Sequence, residues 1–208
     1  MFNNPARVTK PGPAVASAPF TRALDILVSR QSTFQDRQAA WKQLREAGQL
    51  DQAIEALKQG TKDNPDSPEY AATLGQAYLQ KAGEVSKNGG SINELGILGM
   101  SADQNFDNAL KIDPSNWDAQ FLKAVAMSYW PAELNKGGEV VQRLSDLINQ
   151  QGTMPDQPQF ANTYLALGNE YQKLGQTDNA QQTWQAGAAK FPNDSALQNK
   201  LTAAAPSP

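Results

Sequence analysis

Of the side chains that carry most acid–base, nucleophilic and metal chemistry, the sequence holds neither histidine nor cysteine. Without them there is no near-neutral general base, no thiolate nucleophile, no disulfide, and no imidazole or thiolate ligand for zinc. What remains is carboxylates, amides, Lys and Arg. Asp51 and Glu55 form a carboxylate pair at helical spacing, on what should be a solvated face. General acid–base work needs burial to displace a pKa, and nothing in that setting provides it. Two Gly-rich turns share an outline, Lys87-Asn88-Gly89-Gly90 and Asn135-Lys136-Gly137-Gly138. Backbone N–H groups at a helix start beside a lysine can hold an anion; glycines also simply accommodate turns of unusual length. Neither turn has the G-x-x-x-x-G-K-[ST] spacing of a P-loop. The chemistry left is non-covalent recognition, so the chain reads as no enzyme, with no cofactor and no metal.

The elements that must position these groups are helical. Ala, Leu, Gln, Lys and Glu dominate, β-branched residues are sparse, and strand-like alternation is missing. The 208 residues suffice to bury a real core. No run approaches the roughly 18 apolar residues of a membrane span, so no direct membrane insertion is expected. A net charge of −3 argues against nucleic acid, which asks for clustered Lys and Arg. Residues 1–19, with Pro5, Pro11, Pro13 and Pro19, read as a flexible Pro/Ala-rich arm. Residues 204–208 read as a disordered tail. Phe20, Leu24 and Val28 recur at i, i+4, i+8 and predict a short amphipathic helix from Phe20 to Gln31, packed as an N-terminal cap on the helices after it.

One pattern then recurs. Ala53, Leu57, Gly60 and Pro65 share their spacing with Ala102, Phe106, Ala109 and Pro114, and with Ala180, Trp184, Gly187 and Pro192. A small residue lets one helix approach its neighbour, and the large residue one turn later fills the space between them. The proline ends the unit, and the Asp or Asn beside it suits the next N-cap. Leu74-Gly75 with Tyr78 matches Leu167-Gly168 with Tyr171, placing a glycine where two helices cross.

This constellation resembles the tetratricopeptide repeat, a helix–turn–helix unit of about 34 residues. The likeness extends from about Phe34 to Pro192, and Tyr164, Leu167, Gly168, Tyr171, Ala180, Trp184, Gly187 and Pro192 fill the family's signature places. It implies an all-α fold, a right-handed α-solenoid occupying residues 20–203. The repeats are expected at about 34–66, 67–115, 116–157 and 158–192, with a cap helix at 193–203. Pro65 and Pro114 lie 49 residues apart, which places an insertion at 83–100, read as a taller hairpin because Ile92, Leu95, Ile97 and Leu98 flank its turn. Trp41, Trp117, Trp130 and Trp184 read as packing residues.

In this family the first helix of each repeat lines a concave groove where partners lie. Carried over by position, repeat one presents Gln35, Gln38, Lys42 and Arg45, and repeat two Glu69, Ala72, Gln76 and Gln80. Repeat three presents Asp118, Phe121, Val125 and Tyr129, and repeat four Asn162, Leu165, Asn169 and Lys173. The Lys places of the family's carboxylate clamp hold Gln38, Ala72, Phe121 and Leu165, so that clamp is absent. The resemblance therefore implies a protein–protein interaction scaffold that binds a partner peptide or helix through an apolar centre flanked by amides and a few charges. The partner-binding residues are expected to be Lys42, Arg45, Gln76, Gln80, Phe121, Val125, Tyr129, Leu165, Asn169 and Lys173. The alternative is a small-ligand or solute-binding helical protein in which segment 83–100 closes the groove. The composition leans bacterial, with a cytoplasmic protein or the soluble part of a membrane-anchored one as the expectation.

Overall fold

The computed structural model describes residues 17–203 and is all-helical over them. Most of the arm expected at 1–19 and the whole of the tail expected at 204–208 lie outside the described residues. Ten α-helices run in order: α1 (Ala18–Val28), α2 (Phe34–Glu46), α3 (Leu50–Asp63), α4 (Pro68–Lys87), α5 (Ile92–Ile112), α6 (Trp117–Ser128), α7 (Gly137–Gln151), α8 (Ala161–Lys173), α9 (Thr177–Lys190) and α10 (Ser195–Ala203). Successive helices pack as antiparallel hairpins, α2 with α3, α4 with α5, α6 with α7 and α8 with α9, stacked into a right-handed solenoid.

The sequence marks both ends of each hairpin. Thr33 caps α2 in a reciprocal box: its hydroxyl accepts from the Asp36 N–H, and the Asp36 carboxylate accepts from the Thr33 N–H. The Thr33 hydroxyl also donates to the Asp36 carboxylate at 2.7 Å, and that bond, with the one from the Thr33 N–H, holds the Asp36 carboxyl below the usual carboxylate range. Ser67, Ser91 and Asn116 cap α4, α5 and α6. The turn inside each hairpin is made by one left-handed residue: Gly48 (φ 65°), Gly89 (φ 74°), Asn135 (φ 48°) and Gly175 (φ 75°). All four turns therefore lie along one edge of the solenoid, with the Ser91 cap beside Gly89, and the unit-ending prolines with the Thr33, Ser67 and Asn116 caps lie along the other.

Glycines within helices set the distance between neighbours. A Cβ on Gly75 would stand 2.6 Å from the Phe106 ring, and one on Gly168 would stand 2.2 Å from the Trp184 indole nitrogen. Phe106 and Trp184 are fully or nearly fully buried in consequence. The first turns of the array are closed by α1, which buries Phe20, Ala23 and Leu27 against α2. Leu24 and Val28 are only half-buried, so the buried stripe is rotated from the i, i+4, i+8 line expected from sequence. At the far end α10 buries Leu197 and lays Lys200 over the Trp184 ring, 4.7 Å from its centroid.

α4 and α5 are 20 and 21 residues long, against 12 and 15 for α6 and α7. Their tips outgrow the neighbours. Ile92, Ile97 and Met100 are 85%, 66% and 73% exposed, because no adjacent helix extends far enough to cover them, while Leu95 and Leu98 are half-buried. Lower down, α5 turns the same face toward α6, where the Lys123 ammonium sits 2.8 Å from both Asp103 and Asp107.

A buried carboxyl joins the last two hairpins. Glu170 is 3% exposed, and burial pushes its pKa up, with Lys173 at 4.0 Å opposing. Its Oε1 lies against Gly137 at the start of α7. The ionised form is penalised in the folded state alone, and that penalty grows as pH rises from the ordinary carboxylate range through the raised folded value. Glu170→Gln is therefore expected to melt above the parent at pH 7. The gain should vanish below about pH 4, where both states are protonated. Melting curves across that range check it, and a loss of stability at pH 7 would contradict the burial penalty.

Candidate functional site

The inner faces of α2, α4 and α6 enclose a trough. α2 forms one wall, presenting Arg37, Trp41 and Arg45 one turn apart. α6 forms the other with Trp117, Asp118, Phe121 and Leu122, and α4 supplies the floor through Gln76 and Gln80. The volume enclosed here is about 140 Å³. It continues into a larger cavity of about 340 Å³ toward the edge that carries the caps. Arg30, Glu69, Asp113, Gln157 and Phe160 are among the residues lining that part, and Arg37, Gln76, Trp117, Asp118 and Leu122 line both.

Packing fixes the trough's aromatic side. Trp117 stacks on Phe121 with ring centroids 5.0 Å apart and planes 7° from parallel, and it also meets Phe160 at 5.3 Å. Trp41 is 3% and Trp117 9% exposed, so the hollow has rigid walls. Its polar groups are partly engaged with one another. Arg45 donates to Gln80 Oε1 at 2.6 Å, and Arg30 pairs with Glu69. The Arg37 guanidinium, which also donates to the Ser32 carbonyl at 3.2 Å, reaches across the hollow to Asp118 at 3.5 Å. Burial pushes the Asp118 carboxyl up, and Arg37 opposes that shift. For Glu69, burial pushes upward most strongly, yet the bonds from Arg30, from its own backbone N–H and from Ser67 together hold its carboxyl below the usual range.

Of the partner-binding residues expected from sequence, the structure brings Arg45, Gln76, Gln80 and Phe121 together in this trough, beside Gln38 and Asp118 of the wider set carried over by position. Lys42 lines neither cavity; its side chain is 68% exposed and pairs with Glu46 at 3.8 Å. Val125, Leu165 and Asn169 also lie outside both cavities. Tyr129, expected beside the apolar centre, is 83% exposed because α6 ends one residue earlier and the chain turns away. Lys173 donates to the Ser128 carbonyl at the end of α6, a contact between hairpins. Sequence reasoning misses Arg37, Trp41 and Trp117 as trough residues. The i, i+4, i+8 spacing of Arg37, Trp41 and Arg45 is a legible signal for one shared face, but it is masked when Trp41 is given wholly to packing.

No residue of segment 83–100 lines either cavity. At the second Gly-rich turn the start of α7 faces the Glu170 carboxylate, which disfavours an anion there. Among the described residues no group of three His, Cys, Asp or Glu could hold a metal ion, and no helix is long and apolar enough to cross a membrane.

A family model described as "TPR repeat" matches residues 42–81, which run from α2 through α3 into α4. No curated protein matches the sequence. Among solved structures, a thermophilic TPR protein from Thermus thermophilus aligns with a TM-score of 0.65 at 15% identity, covering 88% of this chain and 86% of its own. The crystal structure of MamA aligns with a TM-score of 0.56 at 18% identity, covering 77% and 80%. At such identities the likeness is one of fold.

Proposed function

We propose, from the premise that the chain is a tetratricopeptide-repeat protein, that it is a non-catalytic adaptor that binds a segment of a partner protein in the trough between α2 and α6. The fold itself is that of a protein–protein interaction scaffold, and the choice of this trough as the site rests on one observation. A hollow with rigid aromatic walls, amides on its floor and charges on both sides lies on the inner faces of the first three hairpins. Gln76 and Gln80 both donate and accept, which suits a peptide backbone. Phe121 and Trp117 offer a place for one apolar anchor. The closed small-ligand pocket draws no support from segment 83–100, whose residues stand away from the hollow.

A peptide-display selection tests the reading, with the parent as bait and Phe121→Glu as counter-bait, helicity of the variant being checked by circular dichroism. A shared motif retained by the parent and lost by the variant is the expected result. If the parent enriches nothing, or both enrich the same peptides, the trough is not a peptide site.

A further inference from the structure

The trough has a charge pattern across it. Arg30, Arg37 and Arg45 lie along the α2 side, Arg30 in the turn that leads into the helix and the other two on the helix itself. Asp113 and Asp118 lie along the α6 side, the first in the turn before that helix. The Arg37–Asp118 pair spans the hollow where its two parts join, and it connects the first and third hairpins over the top of the second. The pair sits at two helix starts: Arg37 also donates to the Ser32 carbonyl ahead of α2, and Asp118 stands in the first turn of α6. With side chains 19% and 43% exposed, at 3.5 Å, it is neither a buried strut nor a fully solvated surface pair.

We infer that this ion pair is a latch, opened by an extended peptide with acidic side chains on one side and basic side chains on the other. The inference rests on the reading of the trough as a peptide site. In an extended segment alternate side chains point to opposite sides, so acidic groups in one register meet Arg37 and Arg45 while the basic group beside Arg37 in the other meets Asp118, Asp113 lying farther toward the edge that carries the caps. The α2 wall also sets the order along the acidic side. Arg37, Trp41 and Arg45 rise about 6 Å per step along the helix, and residues i, i+2 and i+4 of an extended peptide are about 6.6 Å apart. The complementary sequence is therefore acidic–basic–apolar–basic–acidic, which sets one basic group against Asp118 in either chain direction and its central apolar side chain between Trp41 and Phe121. Each charge of the latch is then exchanged for a ligand charge of the same sign, so opening it leaves neither Arg37 nor Asp118 unpaired.

The test uses two capped, fluorescein-labelled peptides of identical composition, Glu-Lys-Leu-Lys-Glu and Glu-Glu-Leu-Lys-Lys, titrated against the unaltered protein by fluorescence anisotropy. The first is expected to bind at least about tenfold more tightly, since only the charge order differs. Arg37→Gln should weaken it about tenfold. Asp118→Asn, which frees Arg37, should strengthen binding of the all-acidic Glu-Gln-Leu-Gln-Glu severalfold. Equal binding of the two isomers, binding of neither, or indifference of the acidic peptide to Asp118→Asn would overturn the latch. The isomer comparison needs no variant, so a misfolded mutant does not blunt it. Display peptides that lose the Phe121→Glu variant but lack charge alternation would leave the peptide-site reading standing and overturn this one.

Discussion

Phe106→Ala is expected to lower stability by about 3–5 kcal/mol, the range for removing a buried aromatic ring from a close-packed interior. Phe106 is fully buried and packs onto Gly75 with Ala71, Ala72, Ala102 and Ala109 around it. The buried neighbours are alanines, so only Tyr78, Leu79, Leu110 and Leu122 at the rim of the cluster have side chains long enough to lean into the space. For a domain of ordinary stability, about 5–15 kcal/mol, the loss leaves a marginal fold. In the parent, Gly75→Ala drives a methyl to 2.6 Å from the ring, so overpacking outweighs the roughly 1 kcal/mol that alanine gains over glycine in a helix. In the Phe106→Ala background the ring is gone, and Gly75→Ala should become stabilising. Urea denaturation of the four proteins measures this; the same sign in both backgrounds would mean that the glycine serves something other than the ring.

Lys123→Met is expected to cost about 3 kcal/mol by a different route. Lys123 is 7% exposed and is the cation that meets Asp103 and Asp107, both at 2.8 Å. Methionine keeps the length and apolar stem but leaves two neighbouring carboxylates facing each other, one of them largely buried. Removing one partner of a buried ion pair is costly because the charge left behind is uncompensated. The triple variant with Asp103→Leu and Asp107→Asn should recover most of the loss, since a well-packed apolar replacement often equals a buried ion pair. Denaturation midpoints at unchanged m-value decide it. A loss under about 1 kcal/mol for Lys123→Met would mean that water reaches both aspartates.

The same residues show what is legible in the sequence. Phe106 and Gly75 sit in the recurring small–large and Leu-Gly patterns, whose physics is local: one helix crossing another with a glycine at the contact. The helices, their caps and the α-solenoid follow from such signals. Lys123 carries no comparable mark. Its burial depends on α5 running long enough to bring Asp103 and Asp107 beside α6, a fact about helix lengths in space. The site divides in the same way. Arg45, Gln76, Gln80 and Phe121 are found because position within a hairpin assigns them to an inner face. Val125, Leu165 and Asn169 share that assignment but lie beyond the hollow, whose extent depends on how sharply the array curves. That curvature is the sum of small rotations between hairpins, and no single residue spells it. It is also what brings Arg37 within 3.5 Å of Asp118, two hairpins away. The exposure of Ile92 and Ile97 beside the turn of the taller hairpin is likewise a fact about lengths in space, since the neighbouring helices are too short to cover them.

The most direct test of the trough as the binding site follows the four indole N–H signals in a ¹H–¹⁵N spectrum of the protein as a display-selected peptide is added. Trp41 and Trp117 line the trough, whereas Trp130 and Trp184 do not, so the protein carries its own controls. With the peptide in the trough, the Trp41 and Trp117 signals are expected to move while the other two stay in place. Movement of Trp130 with Trp41 and Trp117 silent would place the peptide elsewhere on the solenoid and contradict the trough as its site.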